Sequence, residues 1–440
     1  MKKKKLAARA AAVADEATSA SNFEATASQP AAPQVSVFEQ FAGFRHLKRR
    51  FEEVEKRNIS LPFFLPHDGI NGNVLRWHGA DLINFAGYNY IGLSGHPEVS
   101  KAAKDAIDRF GTSASASRIV SGQIPLHDEL ERKIAEFLGV EDCIIFVSGY
   151  GTNVTTISHL FGRNDLVVHD NLAHNSIVTG CKLSEARRLS FPHNDWGRLD
   201  KMLRAQRDEY RHALIAIEAV YSMEGDIADI GQAIEVKQRH NTLLMVDEAH
   251  SLGTIGRSGR GIGEHFGIKR SDVDIWMGTL SKSFASCGGY IAGERALVQY
   301  LRYSAPGFIF SVGLSPPDTA AALAALSVLE REPWRVEELR SKARLFRQVA
   351  AEEGLDLGPS NETPIVPLII GDAHRCMRLC QQLLKNGIHV QPIIYPAVSM
   401  TGARLRFFIT INHTEEQIRH TVSTVARELQ QLHEEGDATP

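Results

Sequence analysis

The feature that most constrains the fold is a series of short apolar stretches from Cys143 onward: CIIFV (143–147), LVVHD (166–170), RRLSF (187–191), ALIAIE (213–218), TLLMVD (242–247), DIWMG (274–278) and GYIAG (289–293). Patterns of helical periodicity separate most of them. Runs this short and this apolar suit strands covered on both faces, and strands alternating with helices argue for a mostly parallel sheet layered between helices. After Pro316-Pro317 the pattern changes to long helices over 318–331 and 335–353, strands near 365–370 and 404–411 with a helix between them, and a last helix from about Glu415. No internal repeat is present. The sequence therefore predicts an α/β protein with a seven-stranded sheet in a large domain and a smaller α/β C-terminal domain. Residues 1–36 are expected to be a disordered tail, 37–105 an N-terminal segment, 106–317 the large domain and 318–440 the small one, with the cleft between domains as the place for a ligand.

Composition narrows the class. A chain of 440 residues, 43% hydrophobic, can bury a sizeable core, and its formal net charge of −3 leaves no electrostatic footprint for nucleic acid. No apolar run reaches the ~18 residues that a spanning helix needs. Cys143, Cys181, Cys287, Cys376 and Cys380 are odd in number and sit mostly among apolar residues, which suits packed thiols in a reducing cytoplasm rather than a disulfide framework. Cys376 and Cys380 lie four apart in a helical pattern, but no His or Cys cluster completes a metal site. Lys2–Lys5 and the apolar run after them superficially suggest a secretory signal, but Arg9, Asp15 and Glu16 interrupt it. The stretch to about Val35 has too little apolar periodicity to bury anything.

The sharpest chemical signal is Asp247, at the end of one apolar run in Val246-Asp247-Glu248-Ala249-His250, together with Lys282 in Thr279-Leu280-Ser281-Lys282-Ser283 after the next. In an open parallel sheet the carboxyl ends of the strands face the ligand crevice, so both side chains reach one site. A lysine there can form a Schiff base with an aldehyde, and a carboxylate opposite a pyridine nitrogen keeps that nitrogen protonated and the ring an electron sink. Taken alone, Asp247 also reads as a helix cap and Lys282 as a solvated charge. Thr279, Ser281, Ser283 and Gly288-Gly289 around the lysine supply the small hydroxyl-bearing residues of a phosphate site. Ser148-Gly149-Tyr150-Gly151 follows a strand and opens a helix, where free N–H groups make an anion site. His174, just beyond LVVHD, offers a flat ring for stacking, and Glu218-Ala219-Val220-Tyr221-Ser222-Met223 ends a strand with Ser222 as a phosphate donor. Capping or surface polarity is the alternative for each.

These residues resemble the α-oxoamine synthases, pyridoxal-phosphate (PLP) enzymes of fold type I, over about Asn84 to His413. The most specific segments are SGYGTN (148–153), VDEAHSLGTIG (246–256), GTLSKSF (278–284) and GARLRFFIT (402–410). The resemblance implies Lys282 as the Schiff-base lysine, Asp247 as the pyridinium partner, His250 on the ring oxygen and His174 on the ring face. It implies a phosphate cradle of Ser148, Gly149, Tyr150, Ser222 and Thr279, and substrate contacts from Arg406 and Asn89. It further implies a homodimer with shared sites, in which Ser311 of Phe308-Ile309-Phe310-Ser311 reaches the neighbouring subunit's phosphate. Gly87-Tyr88-Asn89-Tyr90, Leu314-Ser315-Pro316-Pro317 and Gly288-Gly289-Tyr290 are most similar to the serine palmitoyltransferase-like branch, which accepts long acyl chains. Two departures stand out. Ala285 follows Phe284 where many relatives have glycine, and Ile394 stands where the biotin-pathway enzyme has a second carboxylate-binding arginine. The implied reaction joins serine, alanine or glycine to an acyl thioester, on coenzyme A or an acyl carrier protein, releasing CO2, thiol and an α-aminoketone. The competing readings are an aminotransferase and a non-catalytic partner subunit, and subunits of the latter kind lack the lysine.

Overall fold

The computed structural model describes residues 36–57, 59 and 61–437, so the expected tail, apart from its last residue, lies outside the described residues. The chain divides into two compact units, Met1–Ile59 and Ser60–Pro440. In the first, a 3-10 turn (Phe38–Gln40) precedes helix α1 (Ala42–Lys56), whose Phe44, Leu47 and Phe51 recur at helical spacing and are exposed.

The second unit opens with a hairpin, β1 (Val74–Trp77) and β2 (Ala80–Asn84), turned by His78 and Gly79 in left-handed conformation (φ 48° and 81°). Helices α2 (Pro97–Phe110) and α3 (Pro125–Leu138) follow, each with proline in the first turn, where its missing N–H costs nothing. Strand and helix then alternate: β3 (Asp142–Phe146), α4 (Gly149–Leu160), β4 (Leu166–Asp170), α5 (Asn175–Leu183), β5 (Arg187–Phe191), α6 (Trp196–Gln206), β6 (Ala213–Glu218), α7 (Ile230–His240), β7 (Leu243–Asp247), α8 (Ile262–Phe266), β8 (Ile275–Thr279), β9 (Gly289–Gly293), α9 (Arg295–Ser304) and α10 (Pro306–Ile309). The remainder is α11 (Pro316–Arg331), α12 (Trp334–Glu352), β10 (Ile365–Gly371), α13 (Ala373–Lys385), β11 (Ile388–His389), β12 (Gln391–Ile393), β13 (Ala403–Phe408) and α14 (Glu415–Asp437).

Strands β3 to β9 form one seven-stranded sheet in the order β3-β9-β8-β7-β6-β4-β5, parallel except for β9, which is antiparallel to both its neighbours. Alternate side chains feed two cores. Ile145, Val168, Ile215, Val246 and Trp276 pack on one face, and Ile144, Val167, Leu214, Met245 and Ile275 on the other. This two-sided burial is why the strands read as unbroken apolar runs. Strand β5 is the exception. It lies at the sheet edge and exposes Arg187 and Arg188, which blunt the edge against further pairing.

The expected strand at 404–411 ends at Phe408. Beyond it the backbone still pairs, but with irregular segments: Ile409 N–H donates to Pro364 O and Ile411 N–H to Tyr90 O. Strand β13 lies between β10 and β12, antiparallel to both, while β11 adds to the β1–β2 hairpin in parallel with β2. Phe85 ties these segments together, stacking on His413 (4.1 Å, 14°) and meeting Phe407 edge-on at 5.5 Å. The buried Cys380 thiol donates to Val390 O, and burial pushes it up to about 12.

Strand β9 also sets the floor of the site. A methyl group on Gly289 would come within 2.5 Å of Thr152 Oγ1 and 2.8 Å of Gly149 Cα, so α4 reaches the sheet only over a bare backbone. Gly289→Ala should therefore cost about 1–3 kcal/mol through overpacking. Urea denaturation of wild type and variant checks this, and an unchanged midpoint would contradict it.

Candidate active site

Parallel pairing puts the carboxyl ends of β6, β7 and β8 side by side. Glu218 aligns with Asp247, Asp247 with Met277, and Thr279 follows two residues on. The next segment folds into a tight loop in which Leu280 N–H donates to Gly288 O, Ser286 N–H to Leu280 O and Ala285 N–H to Lys282 O. The loop presents Lys282 with its Nζ 5.7 Å from the Tyr88 ring centroid, within cation–π range. Ala285 holds a φ of 51°, a left-handed conformation that costs a side-chain-bearing residue about 1–2 kcal/mol and that glycine adopts freely.

Asp247 is buried and held by two donors, Asn153 Nδ2 at 2.8 Å and Ala249 N–H at 2.9 Å. Asn153 also donates to Ser176 Oγ (2.9 Å), which lies 2.7 Å from His174 Nδ1. A continuous polar chain thus runs from His174 to Asp247, and His174 caps α5. His250 is buried with Nδ1 2.8 Å from Tyr90 Oη, its ring parallel to Phe408 (6.3 Å, 8°). Desolvation, with the charges of Lys282, Arg406 and His174, drives its pKa well below the ordinary value, so the ring is neutral. His174 is also lowered, by desolvation and then by Lys282 and Arg406 against an opposing pull from Asp247. Burial pushes Lys282 down to about 8, helped by Arg406 and opposed by Asp247 and Glu218.

Ser148 caps α4 by accepting from Gly151 N–H (3.1 Å), while Thr152 N–H bonds Ser148 O. The Gly149 and Tyr150 N–H groups stand ahead of these at the open end of the helix. Thr279 Oγ1 lies against this turn, since a Cβ on Gly149 would meet it at 2.7 Å. Arg406 is buried on β13. Its Nη1 donates to Ser222 O (2.8 Å), its guanidinium lies 4.5 Å from the Phe408 ring centroid, and its Nε has no hydrogen-bond partner among the described residues. Neighbouring Arg404 is instead paired with Glu224.

Most of the expected residues therefore converge: Lys282, Asp247, His174, His250, Arg406, Ser222, Thr279 and the turn at 148–150. Two do not join them in the same way. The Asn89 amide is spent on backbone groups, donating to Ser94 O (3.3 Å) and Asn71 O (3.5 Å) and accepting from Ser94 N–H (3.0 Å). Ser311 bonds back to Gly307 O (2.8 Å), with Phe310 and Val312 exposed on either side of it. Asn153, Ser176, Tyr88 and Glu218 are the residues that sequence reasoning did not place. Only Asn153, at the end of SGYGTN, carried a signal, as a polar residue on the inner turn of a helix that starts at the sheet.

Residues 80–425 match the family described as aminotransferase class I and II. The chain belongs to that family. Within it the relatives are α-oxoamine synthases. The chain is 36% identical to an 8-amino-7-oxononanoate synthase of Thermoanaerobacter pseudethanolicus, over 84% of this chain and 93% of that one. Among solved structures, the Sphingomonas wittichii serine palmitoyltransferase is similar with a TM-score of 0.86 and 29% identity, covering 91% of this chain and 99% of that one. A serine palmitoyltransferase from S. paucimobilis with a bound PLP–myriocin aldimine matches equally well, at 0.86 and 29%, with 91% and 100% covered. The protein is thus a PLP-dependent acyltransferase of fold type I, and its residues fit the cofactor. The site offers a lysine at reduced basicity, a carboxylate with a donor on each oxygen, an imidazole linked to it through Ser176 and Asn153, and a helix-opening turn with a hydroxyl beside it. Among the described residues, no helix is long and apolar enough to cross a membrane.

The charges around Lys282 give a pH test. Its amine is nucleophilic only when deprotonated, so the rate at which apoenzyme captures pyridoxal phosphate should rise through pH ~8 rather than near the ~10.4 of free lysine. Arg406→Leu removes a charge that lowers Lys282 and should move the midpoint up, while Asp247→Asn should move it down. Stopped-flow absorbance across pH checks both directions, and a midpoint insensitive to either change would contradict the charge assignment.

Proposed function

We propose that the protein condenses a small amino acid (serine, alanine or glycine) with a long-chain or polyketide-type acyl thioester, giving an α-aminoketone, CO2 and free thiol. The observation that carries this reading is Arg406, a buried guanidinium beside Lys282 and Asp247 whose Nε has no hydrogen-bond partner among the described residues. Its fork suits the carboxylate of an amino acid.

Bound pyridoxal phosphate supplies an electron-accepting ring that makes the amino acid's Cα–H acidic and its carboxyl group able to leave as CO2. Lys282 holds that group through Nζ. The Lys282 amine, its pKa lowered to about 8, is the group placed to take the Cα proton. Asp247, fixed by Asn153 and Ala249, would pair with the ring nitrogen, His174 would pack on the ring, and neutral His250 would meet its oxygen. Ser148, Ser222, Thr279 and the N–H groups of Gly149 and Tyr150 hold the phosphate. Arg406 orients the α-carboxylate. The new Cα–C bond forms as the thioester C–S bond breaks and the thiol departs. The Cα–carboxylate bond then breaks, and Lys282 returns a proton to Cα.

Ile394 supports an apolar acyl chain, since it is partly buried against the core where an arginine would bind a second carboxylate. Coenzyme A or an acyl carrier protein carries the acyl group. Exposed Phe310 and Val312 flanking Ser311 support a homodimer in which Ser311 serves the partner's phosphate. The five free cysteines suit the cytoplasm. In this reading residues 106–317 hold the cofactor, 318–440 bring Arg406 to the substrate, and 37–105 contribute Asn89 and its loop.

Incubating the protein with each amino acid and palmitoyl-coenzyme A should release CO2 and thiol in equal amounts, and Lys282→Ala should release neither. A keto acid without CO2 would overturn the reading in favour of an aminotransferase. Arg406→Leu should weaken amino-acid binding by about tenfold to a hundredfold, the worth of a charge-assisted hydrogen bond. Titration of the cofactor absorbance with amino acid measures this.

A further inference from the structure

Glu218 is a buried acid for which the reaction above has no task. It ends β6 in register with Asp247 on β7, so two carboxyl groups stand on neighbouring strand ends of the same sheet. Their surroundings differ. Asp247 has a donor on each oxygen, Asn153 Nδ2 and Ala249 N–H, as an ionised carboxylate requires. Glu218 has no side-chain donor: Oε2 accepts from Ser222 N–H at 3.3 Å, the His174 N–H also acts on the carboxyl group, and Oε1 is buried with no hydrogen-bond partner among the described residues. The residue is 3% exposed. An anionic oxygen left bare in such a place is costly, whereas a hydroxyl waiting for an acceptor is not.

The groups that act on Glu218 agree with this difference. Burial first and then the neighbouring Asp247 charge raise its pKa to about 8, against the opposing effects of Lys282 and of the His174 and Ser222 N–H groups. Tyr221, three residues on, is itself raised well above its ordinary value and stays neutral. With Lys282 joined to the cofactor, the opposing ammonium is gone and the protonated form is favoured more strongly.

We propose that Glu218 is a further residue of the cofactor site, a neutral carboxylic acid whose Oε1–H donates a hydrogen bond to an acceptor atom of the bound pyridoxal phosphate. Two acids at adjacent strand ends thereby take opposite roles: Asp247 stays ionised beneath the ring nitrogen, and Glu218 stays protonated and donates. The Ser222 N–H keeps Glu218 oriented, and Arg406, bonded to Ser222 O, links that orientation to the substrate carboxylate.

This inference rests on the assignment of Lys282 and Asp247 to the cofactor. The test uses the full-length holoenzyme and two substitutions. Glu218→Gln keeps a neutral donor and an acceptor for Ser222 N–H, and Glu218→Leu keeps the volume with neither. The readouts are the pyridoxal-phosphate dissociation constant by fluorescence, the pH titration of the cofactor's visible band, and circular dichroism for the fold. Glu218→Gln should match wild type within about twofold in affinity and keep its spectrum. Glu218→Leu should bind the cofactor about tenfold more weakly, as loss of one hydrogen bond of about 1.4 kcal/mol requires, and shift the titration of the band. A Glu218→Gln protein as impaired as Glu218→Leu would show that the ionised form is needed and overturn the proposal. A Glu218→Leu holoenzyme with wild-type affinity and spectrum would overturn it equally. If Glu218→Leu loses its circular dichroism, the Glu218→Gln comparison alone decides. Failure of wild type to attach the cofactor at Lys282 would instead sink the cofactor assignment.

Discussion

The site depends on one buried carboxylate kept ionised. Asp247 sits at the end of a strand covered on both sheet faces, where an unpaired charge would cost several kcal/mol. Asn153 and Ala249 meet that cost with two hydrogen bonds, and Lys282 and Arg406 supply positive charge nearby. Each donor has its own structural support. Asn153 is aimed by α4, which touches the sheet only because Gly149 and Gly289 lack side chains, and the chain of bonds through Ser176 extends the constraint to His174.

The same arrangement explains how four titratable groups are pushed toward their neutral forms around one carboxylate that is held by hydrogen bonds. Desolvation lowers Lys282, His174 and His250, all bases, and raises Glu218, an acid, so burial alone pushes each toward its neutral form. Asp247 differs in having a hydrogen-bond donor on each carboxylate oxygen, Asn153 Nδ2 and Ala249 N–H. A lysine amine of lowered pKa beside a fixed negative charge is the combination that imine chemistry on a pyridine aldehyde needs.

Much of this was legible in the sequence, for reasons that are local. The sheet strands showed as apolar runs because helices cover both faces, and Lys282 and Asp247 showed because the end of a parallel strand is where ligands bind. The strands β1, β2, β11 and β12 gave no signal, since they are two to five residues long and take their partners from distant segments. Asn153 and Glu218 were hidden for a different reason. Their importance lies in a contact across the sheet, Asn153 to Asp247 over 94 residues and Glu218 to Asp247 through strand register, and neither contact leaves a periodic or compositional trace. Asn89 shows the converse, a polar residue in a conspicuous motif whose amide is spent on backbone groups. Ala285 shows how a small departure from a pattern locates real geometry, for the position that relatives give to glycine is left-handed here too.

The central claim is that Lys282 carries the cofactor and does so opposite an ionised Asp247. Borohydride reduction of the holoenzyme followed by proteolysis and mass spectrometry tests it most directly. The account predicts that the reduced pyridoxyl group is found on the peptide containing Lys282 and is absent when amino acid is added before reduction. A pyridoxyl group on any other lysine, or an unmodified Lys282 peptide from coloured holoenzyme, would contradict it.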